Sequence, residues 1–186
     1  MVRHGTRLRA VDLGGCFNMS LKGVMDLITR HPNRENFDAL QLPGLPLTHE
    51  FTAALPANCP NITSLGIGYN QLELLLLEQL LNPLARQLRA LRVHWCVTVR
   101  DNMLLWIGQS CPRLRFLDVC GCKFVTINGV GTMLQAKQVG WLWEGKRGWS
   151  GFDEGGEVQL GIRTEVSWLQ YFFRAAVQSH HPRLDR

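Results

Sequence analysis

Six cysteines are the residues of this 186-residue chain best equipped for chemistry. A thiolate can attack a carbonyl, hold zinc or exchange disulfides. Spacing argues against each use. Cys120-Gly121-Cys122 offers two thiols, whereas a structural zinc site takes four ligands, usually paired Cys-x-x-Cys or His clusters. The repeat also aligns Cys120 with the outward Gly14 column and Cys122 with the inward Cys16 column, which sends the two thiols to opposite sides. His94 and Cys96 separate in the same way: His94 turns outward and Cys96 inward, so the imidazole is no base for that thiol. Gly66-Ile67-Gly68-Tyr69-Asn70-Gln71 lacks the third glycine of a dinucleotide-binding turn. Asn18-Met19-Ser20 and Asn61-Ile62-Thr63 match the glycosylation sequon, which matters only in a secreted chain. His180-His181 reads as a solvated tail. The expectation is a non-enzyme with no catalytic residue, no metal and no cofactor.

Composition narrows the remaining classes. A hydrophobic fraction of 46% with 19% charged residues is that of a globular chain and excludes wholesale disorder. The longest apolar run, Leu72 to Leu81, is broken by Glu73, Glu78 and Gln79 and is about half of what a bilayer-spanning helix needs. No membrane is expected as a partner. Arg3, His4, Arg7 and Arg9 have no apolar block behind them, so no secretory signal is read. The thiols are then expected to be reduced, in a cytoplasmic or nuclear protein. The net charge of +5 is a mild excess. Residues 1–135 hold 13 basic and 9 acidic groups and residues 136–186 hold 7 and 6, so the charge reads as evenly spread. Nucleic acid is therefore not the expected partner.

A repeat positions these side chains. Leu8-x-x-Val11-x-Leu13-x-x-Cys16 is followed by Phe37-x-x-Leu40-x-Leu42-x-x-Leu45 and Ile62-x-x-Leu65-x-Ile67-x-x-Asn70. Leu88-x-x-Leu91-x-Val93-x-x-Cys96 and Leu114-x-x-Leu117-x-Val119-x-x-Cys122 complete the set. The anchors at 8, 37, 62, 88 and 114 are 29, 25, 26 and 26 residues apart. Val11 and Leu13 alternate with polar or small residues, the pattern of a strand with one buried face. An amphipathic helix follows each strand. Ser20 caps Leu21–His31, with Val24, Leu27 and Ile28 on one face. Asp101 caps Asn102–Ser110, with Leu104, Leu105 and Ile107 apolar. Pro32, Pro60 and Pro112 stop helices. Cys16, Asn70, Cys96 and Cys122 fall in one column, tucked under the turn and bonding backbone, while Cys59 and Cys111 close helices. A unit of this kind cannot bury its own hydrophobic face, so units must stack. The fold class expected is α/β, a solenoid with parallel strands on the concave face, helices on the convex face and an irregular C-terminal tail.

Two stretches carry a family resemblance. Val11-Asp12-Leu13-Gly14-Gly15-Cys16 and Leu117-Asp118-Val119-Cys120-Gly121-Cys122 resemble the cysteine-containing leucine-rich repeat, as do Cys59-Pro60-Asn61-Ile62 and Cys111-Pro112-Arg113-Leu114 at helix ends. The resemblance covers roughly residues 8–135. It implies a ribonuclease-inhibitor-like array of the F-box/leucine-rich-repeat family, whose members are substrate receptors of cullin-based (SCF) ubiquitin ligases. No F-box is read before Leu8 or in 136–186, so the Skp adaptor and cullin would be reached only through an F-box not seen in this chain.

The expected organisation is an array over 1–135, a Gly/Trp-rich loop over 136–163, and a C-terminal helix and tail over 164–186. That last helix places Val166, Leu169, Phe172, Phe173, Ala176 and Val177 on one face and is expected to cover the open end of the array. With no active site to assign, recognition falls to the concave face. The protein-binding residues expected there are Asp12, Gln41, Arg92, His94, Phe116 and Asp118. Arg and aromatic side chains are the usual anchors of protein interfaces. The function expected is a non-enzymatic protein-interaction module, the substrate-recognition part of an F-box-type ubiquitin ligase. Two alternatives are a repeat scaffold or assembly factor unrelated to ubiquitin, and an RNA or polyanion surface built on Arg86, Arg89, Arg92, Arg113 and Arg115.

Overall fold

Three alternating residues make a strand only where neighbours supply the hydrogen bonds. The computed structural model describes residues 8–16 and 18–137, together with the backbone at 140–143, 149–152 and 158–163. In it the repeat's strands supply each other. β1 (Ala10–Asp12), β2 (Ala39–Gln41), β3 (Ser64–Gly66), β4 (Ala90–Arg92) and β5 (Phe116–Asp118) pair in parallel and in chain order. The register is that of the repeat: Val11, Leu40, Leu65, Leu91 and Leu117 stand side by side. Helices α1 (Leu21–Arg30), α2 (His49–Asn58), α3 (Leu74–Leu81) and α4 (Asp101–Ser110) join successive strands, and α5 (Ile127–Ala136) follows β5. The chain is thus α/β, with parallel strands alternating with helices.

Local chemistry sets where each helix begins and ends. Ser20, Thr48 and Thr126 cap α1, α2 and α5, each hydroxyl accepting the backbone N–H of the residue three positions on. His31, Cys59 and Cys111 close α1, α2 and α4 directly before prolines. Asp101 departs from its expected role as a cap. It is the first residue of α4, with Arg100 in the capping position, and its carboxylate accepts from Thr126 N–H at 2.8 Å and Thr126 Oγ1 at 2.6 Å. A carboxylate in a first turn still suits the helix dipole. Here it also ties one unit to the next.

The leucine columns face the helices and are fully buried, with Leu40, Leu65, Leu91 and Leu117 in one continuous core that runs from Val24 to Leu134. The first unit is less covered: Val11 and Leu13 are half-buried because no strand lies beyond β1 among the described residues.

Beyond α5 the structure differs from the loop expected over 136–163. β6 (Gly140–Trp143), β7 (Trp149–Phe152) and β8 (Val158–Arg163) extend the sheet to eight strands in the order β1-β2-β3-β4-β5-β8-β7-β6. β8 lies parallel to β5 with Ile162 beside Leu117, and β7 and β6 then run antiparallel. A further step of 26 residues from Leu114 would put a sixth anchor near 140, but the sixth rung is supplied from 158–163. The physical reason is that the free edge of β5 accepts any extended segment, and Val158, Leu160 and Ile162 alternate with period two. The helix expected over 164–186 lies outside the described residues.

Leu117 is the centre of this ladder, with a buried leucine beside it on β4 and β8 across the other edge. Leu117→Ala is expected to cost about 2–5 kcal/mol, read as a fall in the urea midpoint at unchanged slope. Two glycines make a paired test. Gly121 has φ +71° and a Cβ there would stand 2.5 Å from the Trp95 ring, whereas Gly131 lies inside α5 with nothing within 4 Å. Gly121→Ala should destabilise by at least about 1 kcal/mol, and Gly131→Ala should stabilise by up to about 1 kcal/mol, both measured by the same unfolding curves.

Candidate protein-binding face

The face of the sheet turned away from the helices carries the polar and small columns. Ala10, Ala39, Ser64 and Ala90 keep its first column low. In the next columns Gly66 and Gly68 are not idle gaps. The Gln41 carboxamide occupies the space a side chain on Gly66 would need, and the His94 ring comes within 2.6 Å of where a Cβ on Gly68 would stand. Side chains of one unit thus fold over the glycine of an adjacent unit. A hollow of about 570 Å³ remains across β1 to β4, with Asp12, Gln41, Ser64, Arg92 and His94 among its lining.

Four of the expected binding residues meet at this hollow: Asp12, Gln41, Arg92 and His94. Phe116 lies beside it, half-buried, with the Arg92 guanidinium 5.1 Å from its ring centre. That contact is a cation–π pair. Arg92 also points Nη1 at Ser64 Oγ, 3.4 Å away. His94 meets the Tyr69 ring edge-on at 5.1 Å, and its buried Nδ1 has no hydrogen-bond partner among the described residues. Asp118 is corrected. It was expected to present its carboxylate on the face, but it is only 5% exposed and its Oδ1 accepts the Cys120 N–H at 3.1 Å. Asp12 makes the equivalent bond to Gly14 N–H at 2.8 Å while remaining exposed, because β1 is an edge and β5 is not. An aspartate at this repeat position first serves its own turn.

The cysteines follow position in the ladder. Cys96 Sγ donates to Ile67 O at 3.5 Å and Cys122 Sγ to Val93 O at 3.1 Å, each reaching the preceding unit. Cys16 has no preceding unit among the described residues and is exposed, which corrects the expectation that it tucks under its turn. Cys120, expected on the open face, is buried too. Burial pushes the Cys96 thiol up to about 12 and those of Cys59, Cys111 and Cys122 up to about 11. Burial also lowers the Lys137 ammonium, which donates to Cys111 O at 2.8 Å. Among the described residues no three His, Cys, Asp or Glu side chains converge on a point where a metal ion would sit.

Two aromatic residues were missed. Tyr69 and Trp95 are 59% and 44% exposed and stack nearly parallel, 6.3 Å apart. They occupy the turn position that Gly15, Gly44 and Gly121 hold in the other units, and all five have positive φ. The signal was present in the repeat: the residue before the Cys/Asn column is glycine in three units and aromatic in two. A bulky side chain held there is strained, and such strain gathers at functional sites. Among the described residues no helix is long and apolar enough to cross a membrane. No family model matches the chain.

Thiol reactivity tests this arrangement. The thiolate is the reactive form, and a thiol at about 11 is ionised in roughly one molecule in a thousand at pH 8. A chromogenic disulfide reagent at pH 8 should consume Cys16 promptly in the native chain and reach Cys59, Cys96, Cys111, Cys120 and Cys122 only after denaturation. Fast reaction of a second thiol would contradict the burial described. A raised thiol stabilises the fold below its unfolded value of 9.0 and loses that contribution as pH rises toward 11 to 12, so the melting temperature should fall above about pH 9.

Proposed function

We propose that this chain is a leucine-rich-repeat solenoid that acts as a non-enzymatic protein-interaction module. Its role would be substrate recognition within an F-box-type ubiquitin ligase, in the cytoplasm or nucleus. The observation that carries the reading is the open face of the sheet. Arg92, Phe116 and His94 cluster there beside a hollow, and an Arg over an aromatic ring is the kind of anchor on which interfaces concentrate their energy. Strands that advance one unit at a time in a single direction support the solenoid reading. The resemblance of the Cys-containing units to the F-box/leucine-rich-repeat family supports the ligase role. All five α-helices among the described residues belong to the ladder, so adaptor docking would call on a separate helical segment.

The test compares capture of a bound protein by wild type, Arg92→Ala and Phe116→Ala, with circular dichroism as the folding control. Each substitution should weaken capture by at least about 1 kcal/mol without unfolding the chain. Purified Skp adaptor should not be retained by this chain alone. Unchanged capture by both variants would remove the open face as the binding site, and tight retention of Skp would overturn the account of adaptor docking.

A further inference from the structure

Counted by halves the charge is even, but the fold gathers it. Between Gln79 and Leu117 the sequence has six arginines and one carboxylate, so this stretch alone matches the whole chain's excess of +5. The pairing of Ala90 with Phe116 then sets Arg89 beside Arg115, each one residue ahead of its strand. Neighbouring strands are about 4.8 Å apart. Arg86 and Arg113 stand in the turns that lead into the same two strands, and all four arginines are exposed.

The start of the same column behaves differently. Arg9 and Asp38, on the first two rungs, close an ion pair at 3.0 Å. Neither Arg89 nor Arg115 takes part in an ion pair among the described residues, nor do Arg86 and Arg113. The only carboxylate in the stretch, Asp101, is held by Thr126 at the other end of the strands. Like charges set side by side on neighbouring strands are destabilising. The fold therefore gains nothing from the Arg89–Arg115 juxtaposition, whereas an external anion would be attracted by both. Guanidinium groups match carboxylates with two parallel hydrogen bonds.

We propose that Arg89 and Arg115, backed by Arg86 and Arg113, bind an acidic segment of the polypeptide held by the open face. The inference rests on the protein-interaction reading and names the chemistry of the partner. A polypeptide is favoured over nucleic acid by the absence of an exposed ring at this end of the strands among the described residues. Phe116 lies beside the Arg92 guanidinium, and the exposed rings of Tyr69, Trp95 and Phe124 follow their strands instead of preceding them. Surfaces for single-stranded nucleic acid interleave cations with stacking rings. The row is also only two strands wide, which suits a short acidic run.

Fluorescence anisotropy of the full chain tests this with a short labelled peptide rich in Glu, the same peptide with Gln at those places, and an oligouridylate of equal length. The Glu peptide should bind, more weakly as salt rises, and Arg89→Gln/Arg115→Gln should weaken it at least about tenfold. The double variant should melt at or above the wild-type temperature, and the Glu peptide should raise the melting temperature of wild type only. Equal binding of the Glu peptide by the double variant, equal binding of the Gln peptide, or tighter binding of the oligouridylate at the same salt would each overturn the proposal. Phe116→Ala separates it from the reading beneath it. If that variant and Arg92→Ala both keep peptide binding and partner capture, the open face fails and the arginine row stands. If it loses capture while the double variant keeps peptide binding, the arginine row alone fails.

Discussion

A three-residue strand leaves a leucine face and a row of carbonyls that it cannot satisfy itself. Everything else in the molecule answers that constraint by borrowing from the next unit. Leu42 N–H bonds Gly66 O, Ile67 N–H bonds Arg92 O and Val93 N–H bonds Asp118 O, each step carrying the ladder forward one strand. The Cys column works in the return direction, with Cys96 and Cys122 reaching back to Ile67 and Val93. Val93 O also accepts the Cys96 N–H at 3.2 Å, so the Cys122 thiol adds a second, weaker bond that ties adjacent units. Asn70 does the same work locally, its carboxamide donating to Ile67 O and Gly68 O.

This economy decides what remains for recognition. Apolar side chains are committed to the helix side and turn positions to positive φ. Only the alternate strand positions and the turn edges are free to vary. On the open face, glycine and alanine make room, and Gln41, Arg92 and His94 lie across that room. At one end of the strands the turns carry Tyr69 and Trp95, and at the other they carry arginines that form no ion pair among the described residues. Arg92, Phe116, Arg89 and Arg115 all belong to β4 and β5 or their entries, where the ladder is covered on both edges. β1, with Cys16 exposed and Val11 half-buried, is less well held.

The sequence by itself determined the period, the strand positions, their parallel order and register, the Ser20 cap and the burial of the leucine columns. These follow from local spacing: alternation chooses a strand face, and a hydroxyl followed by an apolar run starts a helix. It also picked out Arg92, His94 and Phe116 for the open face. Tertiary structure decided what depended on a neighbour about 25 residues away. Asp101 left its cap for Thr126, Cys16 stayed exposed while Cys96 and Cys122 of its column were buried, and Asp118 and Cys120 were covered. The free edge of β5 drew β8 from a segment that breaks the repeat. Stacking also set Arg89 beside Arg115, since residues 26 positions apart become neighbours only when one unit is laid on the next. Column chemistry is written in each unit, but exposure and charge are properties of the stack.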